Sequence, residues 1–214
     1  MTFKRARTQE QFQERRDRIV SIALDLYDRD GYAAVTFSTI SKITSITRPA
    51  LYSYFKNPDD ILLYALGRDF IELNGYLESE LDRHATIDES SFAEILYKGI
   101  SASPRMLKML SINYAVIEIG SSDEKLIEFK SYIMKTFDIL GKYVEKFFPH
   151  VNEQRKVNFE FIIFSFISSV YILTHPSEKQ IMAIDKNSTS FKVPSYEDLC
   201  YEGLLDIITA LNKR

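Results

Sequence analysis

TFSTISKITSITRPALYSYF, residues 36–55, reads as two short helices joined by a tight turn, one over Ser38–Thr44 and one over Arg48–Tyr54. Apolar side chains fall only where two crossing helices would touch. Ile40 and Ile43 are expected on the inner face of the first helix, Ile46 plugs the turn, and Leu51 and Phe55 line the inner face of the second. Ser41 and Thr44 are small enough for close approach, and Thr47 supplies a side-chain oxygen expected to cap the second helix. This is the layout of a helix-turn-helix, whose second helix lies in the DNA major groove. The outward positions are Arg48, Pro49, Ala50, Ser53 and Tyr54. None is acidic, and together they offer a cation, hydroxyls and a small apolar surface suited to phosphates, guanine edges and thymine methyls.

Upstream, Ile19, Ala23, Leu26 and Tyr27 share one face of a helix from about Gln11 to Asp30, stopped by Gly31. Charge separates this end from the rest. Residues 1–56 hold ten Lys/Arg against six acids, whereas residues 57–214 hold 17 against 24. A basic head on an acidic body is the footprint of a chain in which only the head meets a polyanion. We therefore divide the chain into a DNA-binding domain at 1–56, with a basic N-terminal arm, and a helical domain at 57–214.

Downstream, helix signals recur and strand alternation is almost absent. Asn57-Pro58-Asp59-Asp60 combines an N-cap, a proline at the first helical position and acids in the first turn. It opens a long helix to His84. Further helices fit Phe92–Ala102, Pro104–Glu118, one started by Ser122-Asp123-Glu124 and lasting to Phe148, Glu153–Thr174 capped by Asn152, Lys179–Ile184, and a last one to Leu211 opened by the box-like Ser195-Tyr196-Glu197-Asp198. Thr86–Ser91 reads as a polar loop. The expectation is an all-α fold of about nine helices, a three-helix head followed by a helical bundle.

Other classes fare poorly. His84, His150 and His175 stand apart, with no spacing that would ligate a metal, and no phosphate loop or nucleophile elbow occurs, so neither an enzyme nor a cofactor is expected. The single Cys200 suits a reducing, cytoplasmic compartment. The opening carries no apolar leader, and the apolar run Phe161–Thr174 is shorter than the roughly 18–20 residues a bilayer needs. No membrane partner is expected.

The head resembles the TetR family of bacterial regulators. The likeness runs through Arg18-Ile19, Ala23, Leu26-Tyr27, Gly31-Tyr32 and Thr36, and closes on Thr47-Arg48-Pro49-Ala50-Leu51-Tyr52-Ser53-Tyr54-Phe55-Lys56 with Asp59 and Asp60. Two positions depart from it. Ser45 stands where the turn usually holds Gly, and Pro58 replaces a basic residue at the start of the fourth helix. The resemblance implies that Arg48, Pro49 and Ala50 face base edges, while Thr36, Thr47, Tyr52, Ser53, Tyr54 and Lys56 meet phosphates. Lys4, Arg5 and Arg7 form either an arm on the DNA or a solvated tail.

It also implies a body that binds a small-molecule effector of unknown identity and forms a homodimer through its last two long helices. Tyr97, Met106, Met109, Tyr114, Phe137, Phe166 and Tyr171 are candidate pocket linings, with plain core packing as the other reading. Glu118 is a candidate polar anchor or a solvated acid. The helix at 153–174 is apolar nearly all round, which calls for partners on every side. Phe161, Phe164 and Ile167, with Leu204, Ile208 and Leu211, are the expected dimer contacts. The functional expectation is a DNA-binding transcriptional regulator, a repressor that an effector releases from its operator by shifting the spacing of two heads from about 34–36 Å or a multiple of it. The alternatives are an activator, an effector-independent DNA binder, or a helical protein-interaction module.

Overall fold

The computed structural model describes residues 9–187 and 190–213, and no strand occurs among them. The arm residues Lys4, Arg5 and Arg7 lie outside the described residues. Helix α1 (Gln9–Asp30) stops at Gly31, whose φ of 81° is left-handed and suits a residue without a Cβ. A single 3₁₀ turn, Tyr32–Ala34, leads to α2 (Phe37–Thr44), α3 (Arg48–Leu51) and α4 (Pro58–Arg83). Then follow α5 (Glu89–Ser101), α6 (Pro104–Ile112), a π-helical segment (Asn113–Ile117) and α7 (Glu118–Gly120). The chain continues with α8 (Asp123–Phe147), α9 (Glu153–Thr174), α10 (Glu178–Asn187) and α11 (Tyr196–Asn212).

Most helix starts follow from local capping. Asn57 Oδ1 accepts from Asp60 N at 2.9 Å, Asn152 Oδ1 from Arg155 N at 3.0 Å, and Ser195 Oγ from Asp198 N at 3.1 Å. Some boundaries differ from the expectation, α10 running on to Asn187 among them. α5 begins within the anticipated loop, because Asp88 Oδ1 accepts from Ser91 N at 2.8 Å and caps it. α3 is helical only to Leu51; residues 52–54 form turns, with Ser53 N bonding Ala50 O and Tyr54 N bonding Leu51 O. The helix begun at Pro104 passes into the π segment at Asn113. That side chain is fully buried and donates to Glu118 Oε1 at 2.6 Å, five residues on, while its own Oδ1 finds no partner.

Two compact units emerge, one from residues up to Arg68 with Ile112–Ser131, the other from Asp69–Ser111 with Tyr132 onward. The division differs from a boundary at residue 56. The first part of α4 belongs with the head because Ile61 and Leu62 are buried there and Asp60 bonds the start of α8. Helices α4 and α8 each contribute residues to both units.

The second unit is built on an aromatic core. The Phe92 ring stacks on Tyr143 at 4.8 Å between centroids, with Phe148 and Phe159 each at 6.0 Å. The Tyr143 hydroxyl donates to Leu77 O at 2.8 Å, which satisfies the one polar atom this ring takes inside. Between α4 and α8, Thr136 Oγ1 donates to Asn74 Oδ1 at 2.7 Å and Asn74 Nδ2 to Tyr132 O at 3.1 Å. α11 packs on α5 and α9, and the Phe166 ring rests against Gly203, where no side chain intervenes.

Several expectations about burial are corrected here. Phe164, Ile167, Leu204, Ile208 and Leu211, expected at a dimer contact, are buried within the chain itself and pack in its own core. Of the six named, only Phe161 faces out, 58% exposed, beside Ile162, Ile172 and Leu173 on the same helix. α9 at 22 residues is long and apolar enough to cross a membrane, which the shorter run within it did not suggest. Ile43 is 49% exposed and not on the inner face of α2; Thr44, one residue on, is the side chain that turns inward.

Candidate nucleic-acid interface

Thr36 starts α2: its Oγ1 accepts from Thr39 N at 3.1 Å and pairs with Thr39 Oγ1 at 2.8 Å. At the other end, buried Thr44 donates to Ile40 O at 2.8 Å and accepts from Ile46 N at 3.1 Å. One hydroxyl thus closes α2 and satisfies the Ile46 amide within the turn. Ser45 then takes φ 59°, the one positive φ outside glycine among the described residues. Ile46 and Leu51 are fully buried, and Phe55 nearly so. Thr47 stands at the N-cap of α3, but its hydroxyl makes no capping bond, contrary to the sequence reading; only its carbonyl enters the helix, accepting from Ala50 N and Leu51 N. Its side chain is left at the surface.

The side chains with proposed DNA roles gather on this rim. Arg48 is exposed and its guanidinium donates to Ser38 Oγ across from α2. Pro49 is exposed and Ala50 half-buried. Tyr52 is 62% exposed and meets the Phe37 ring edge-on at 4.9 Å. Tyr54 stacks on Phe12 of α1 at 4.4 Å, and Ser53 Oγ bonds Ala50 O at 2.7 Å. Behind them the Arg16 guanidinium lies over the Tyr64 ring at 4.0 Å and Phe55 at 5.4 Å, fixing α1 to the start of α4.

Lys56 is exposed, yet its Nζ donates to Glu124 Oε2 at 2.9 Å. The neighbouring Asp60 carboxylate, almost wholly buried, accepts from Lys56 N at 3.1 Å, Ser122 N at 2.7 Å and Ser122 Oγ at 3.0 Å. Asp59 accepts from the Tyr32 hydroxyl at 2.7 Å. Burial, then the bond to Asp59, pushes the Tyr32 hydroxyl up to about 12, and burial likewise raises the Asp59 carboxyl. The sequence assigns Phe12, Ser38, Ser122 and Glu124 no role at this site. Ser122 and Glu124 reach this site from more than 60 residues away, and local patterning carries no sign of that.

The candidate effector residues fall in both units. Tyr114 and Glu118 lie in the first unit, where Glu118 pairs with Lys130 at 2.8 Å and Lys130 sits over the Tyr114 ring at 4.5 Å. Met106 and Met109 are core in the second unit, and Phe137 packs edge-on against Phe161 and Phe164. Tyr97 and Tyr171 share a neighbour in Tyr196, at 6.4 and 6.1 Å between centroids, with Tyr201 beside Tyr97 and His175 stacked on Tyr171. A cavity of about 280 Å3 lies elsewhere, between α9 and α11, lined by Arg155, Phe159, Ile162 and Ile207 among others.

Comparison with known proteins converges on one group. The model of bacterial regulatory proteins of the tetR family matches residues 19–65, and that of the tetracyclin repressor-like C-terminal domain matches residues 68–209. The HTH-type transcriptional repressor KstR of Mycobacterium tuberculosis is 23% identical over 117 residues, 52% of this chain and 51% of that protein, so the likeness spans about half of each. Among solved structures, the fatty acid degradation regulator FadR of Bacillus halodurans superposes with a TM-score of 0.61 at 16% identity, covering 99% of this chain and all of that one. FadR of Bacillus subtilis, solved with stearoyl-CoA, gives 0.59 at 16% identity over 92% and 99%.

Proposed function

Because the chain belongs to the tetR family of bacterial regulatory proteins, we propose that it acts in the cytoplasm as a homodimeric repressor that an effector releases from its operator. The observation that carries the reading is the rim of α2 and α3. A buried plug of Ile46, Leu51 and Phe55 holds Arg48, Pro49, Thr47, Tyr52 and Ser53 outward on one short element. In this reading Arg48, Pro49 and Ala50 meet base edges, and the hydroxyls of Thr47, Tyr52, Ser53 and Tyr54 meet phosphates. The Thr36 hydroxyl, engaged in capping α2, serves more to place the helix than to hold DNA.

A homodimer is supported by the exposed apolar row on α9, Phe161, Ile162, Ile172 and Leu173, an area a lone soluble chain has no reason to leave to water. The effector class is open. Long-chain acyl thioesters are the first ligands to screen, since a regulator of the same fold is known with stearoyl-CoA.

The deciding experiment is selection of random duplexes by the full-length protein, followed by titration of the recovered sequence and a shuffled control across salt. A paired half-site motif, bound far more tightly than the control and with a steep salt slope, supports the reading. Recovery of no motif, with equal weak binding to both duplexes, overturns it.

A further inference from the structure

We propose that Glu124 is itself a residue of the nucleic-acid interface, an internal competitor that occupies the Lys56 ammonium until a DNA phosphate displaces it. The inference rests on the reading of α2 and α3 as a DNA-binding head. Lys56 Nζ and Glu124 Oε2 are 2.9 Å apart although 68 positions separate them in the chain. The pairing is built, not incidental. Asp60 anchors the start of α8 through Ser122 N and Ser122 Oγ, and at the same time holds Lys56 through its amide. Both partners of the ion pair are therefore fixed by one buried carboxylate. A cavity of about 180 Å3 at this place is lined by residues 52–56 on one side and Ser122, Glu124 and Lys125 on the other. Four side chains assigned to phosphate, Tyr52, Ser53, Tyr54 and Lys56, thus share a cavity with a carboxylate.

The electrostatics agree with the geometry. The bond to Glu124, then its charge, hold the Lys56 ammonium above its ordinary range, with Asp60 and Asp123 adding to it, and Lys56 holds the Glu124 carboxyl below its own. The pair is nonetheless exposed, 64% for the lysine side chain and 73% for the glutamate. An exposed pair is weak enough for a polyanion to break. Phosphate then gains the Lys56 ammonium only at the expense of its attraction to Glu124. Glu124 therefore sets DNA affinity below what the head alone would reach. It does so from the first turn of α8, a helix that runs on into the second unit.

The test is a double-mutant cycle on the full-length protein, read by fluorescence anisotropy with the duplex recovered by selection. Glu124→Gln is expected to bind about three- to tenfold more tightly and to steepen the salt slope by up to about 0.9, the share of one phosphate contact. Lys56→Gln weakens binding, and in its presence Glu124→Gln brings no gain. Both side chains lie at the surface, so circular dichroism is expected to be unchanged in all three variants. A gain from Glu124→Gln that persists without Lys56 would overturn the proposal, since only overall charge would then matter; so would no gain at all. In both of those outcomes wild-type protein still binds its site, which leaves the DNA-binding reading standing. Failure of the wild type to select or bind any duplex removes that reading and this inference together.

Discussion

Ser45 shows how much one residue carries in a turn this tight. Its φ of 59° lies in the left-handed region, where a Cβ crowds the backbone at a cost of about 1–2 kcal/mol that glycine does not bear. Ser45→Gly is expected to raise unfolding stability by about 0.5–1 kcal/mol, after the greater flexibility of glycine in the unfolded chain is offset. Chemical denaturation checks this; an unmoved or lower midpoint would show that the turn holds no such strain. The neighbouring Thr44 works in the opposite sense. Its hydroxyl satisfies Ile46 N in a buried site, and Thr44→Val leaves that amide without a partner. The expected loss is about 1–3 kcal/mol by the same assay, and a neutral result would mean that water reaches the turn.

Among the elements, α9 meets its neighbours in two different ways. Against α11 it presents Phe166 to Gly203, a contact that depends on the missing side chain. Against α8 it presents Glu160, buried with an oxygen 3.0 Å from where a Cβ on Gly141 would sit. Burial raises the Glu160 carboxyl, partly opposed by the charge of Lys156. A carboxyl whose folded value lies above its unfolded one favours the fold while protonated, and that contribution is lost as pH rises through the carboxylate range. Glu160→Gln keeps the shape and removes the charge. It is expected to stabilise the protein at pH 7 and to lose most of that advantage at about pH 4, where the wild-type carboxyl is itself protonated. Urea midpoints at the two values decide it; equal gains at both would detach the effect from titration.

At the scale of the whole molecule, the apolar content of α9 divides into a core side and a surface side, and substitutions separate the two. Ile208→Asp places a charge in a fully buried position and is expected to unfold the chain. Phe161→Asp combined with Ile172→Asp falls on the exposed row, so a helical monomer is expected in place of a dimer, with operator affinity falling because two half-sites are no longer held by one particle. Light scattering coupled to size exclusion, with circular dichroism, distinguishes the outcomes. A folded dimer carrying both aspartates would place the subunit contact elsewhere.

What the sequence determined by itself is what lies within a turn or so of chain. The caps at Asn57, Asn152 and Ser195, the stop at Gly31, the plug of Ile46, Leu51 and Phe55, and the outward placing of Arg48 and Pro49 all follow from neighbours a few positions apart. Helical structure is a local bargain between side chain and adjacent backbone, so its signals are written locally. Tertiary structure alone decided which side of α9 is core, because a helix apolar on every face has no periodicity from which to choose. It also decided that Asp60 clasps Ser122 and that Lys56 meets Glu124, contacts spanning 62 and 68 positions. Such pairings exist only once burial has brought distant segments together, and no residue near Lys56 in the chain records which acid will reach it.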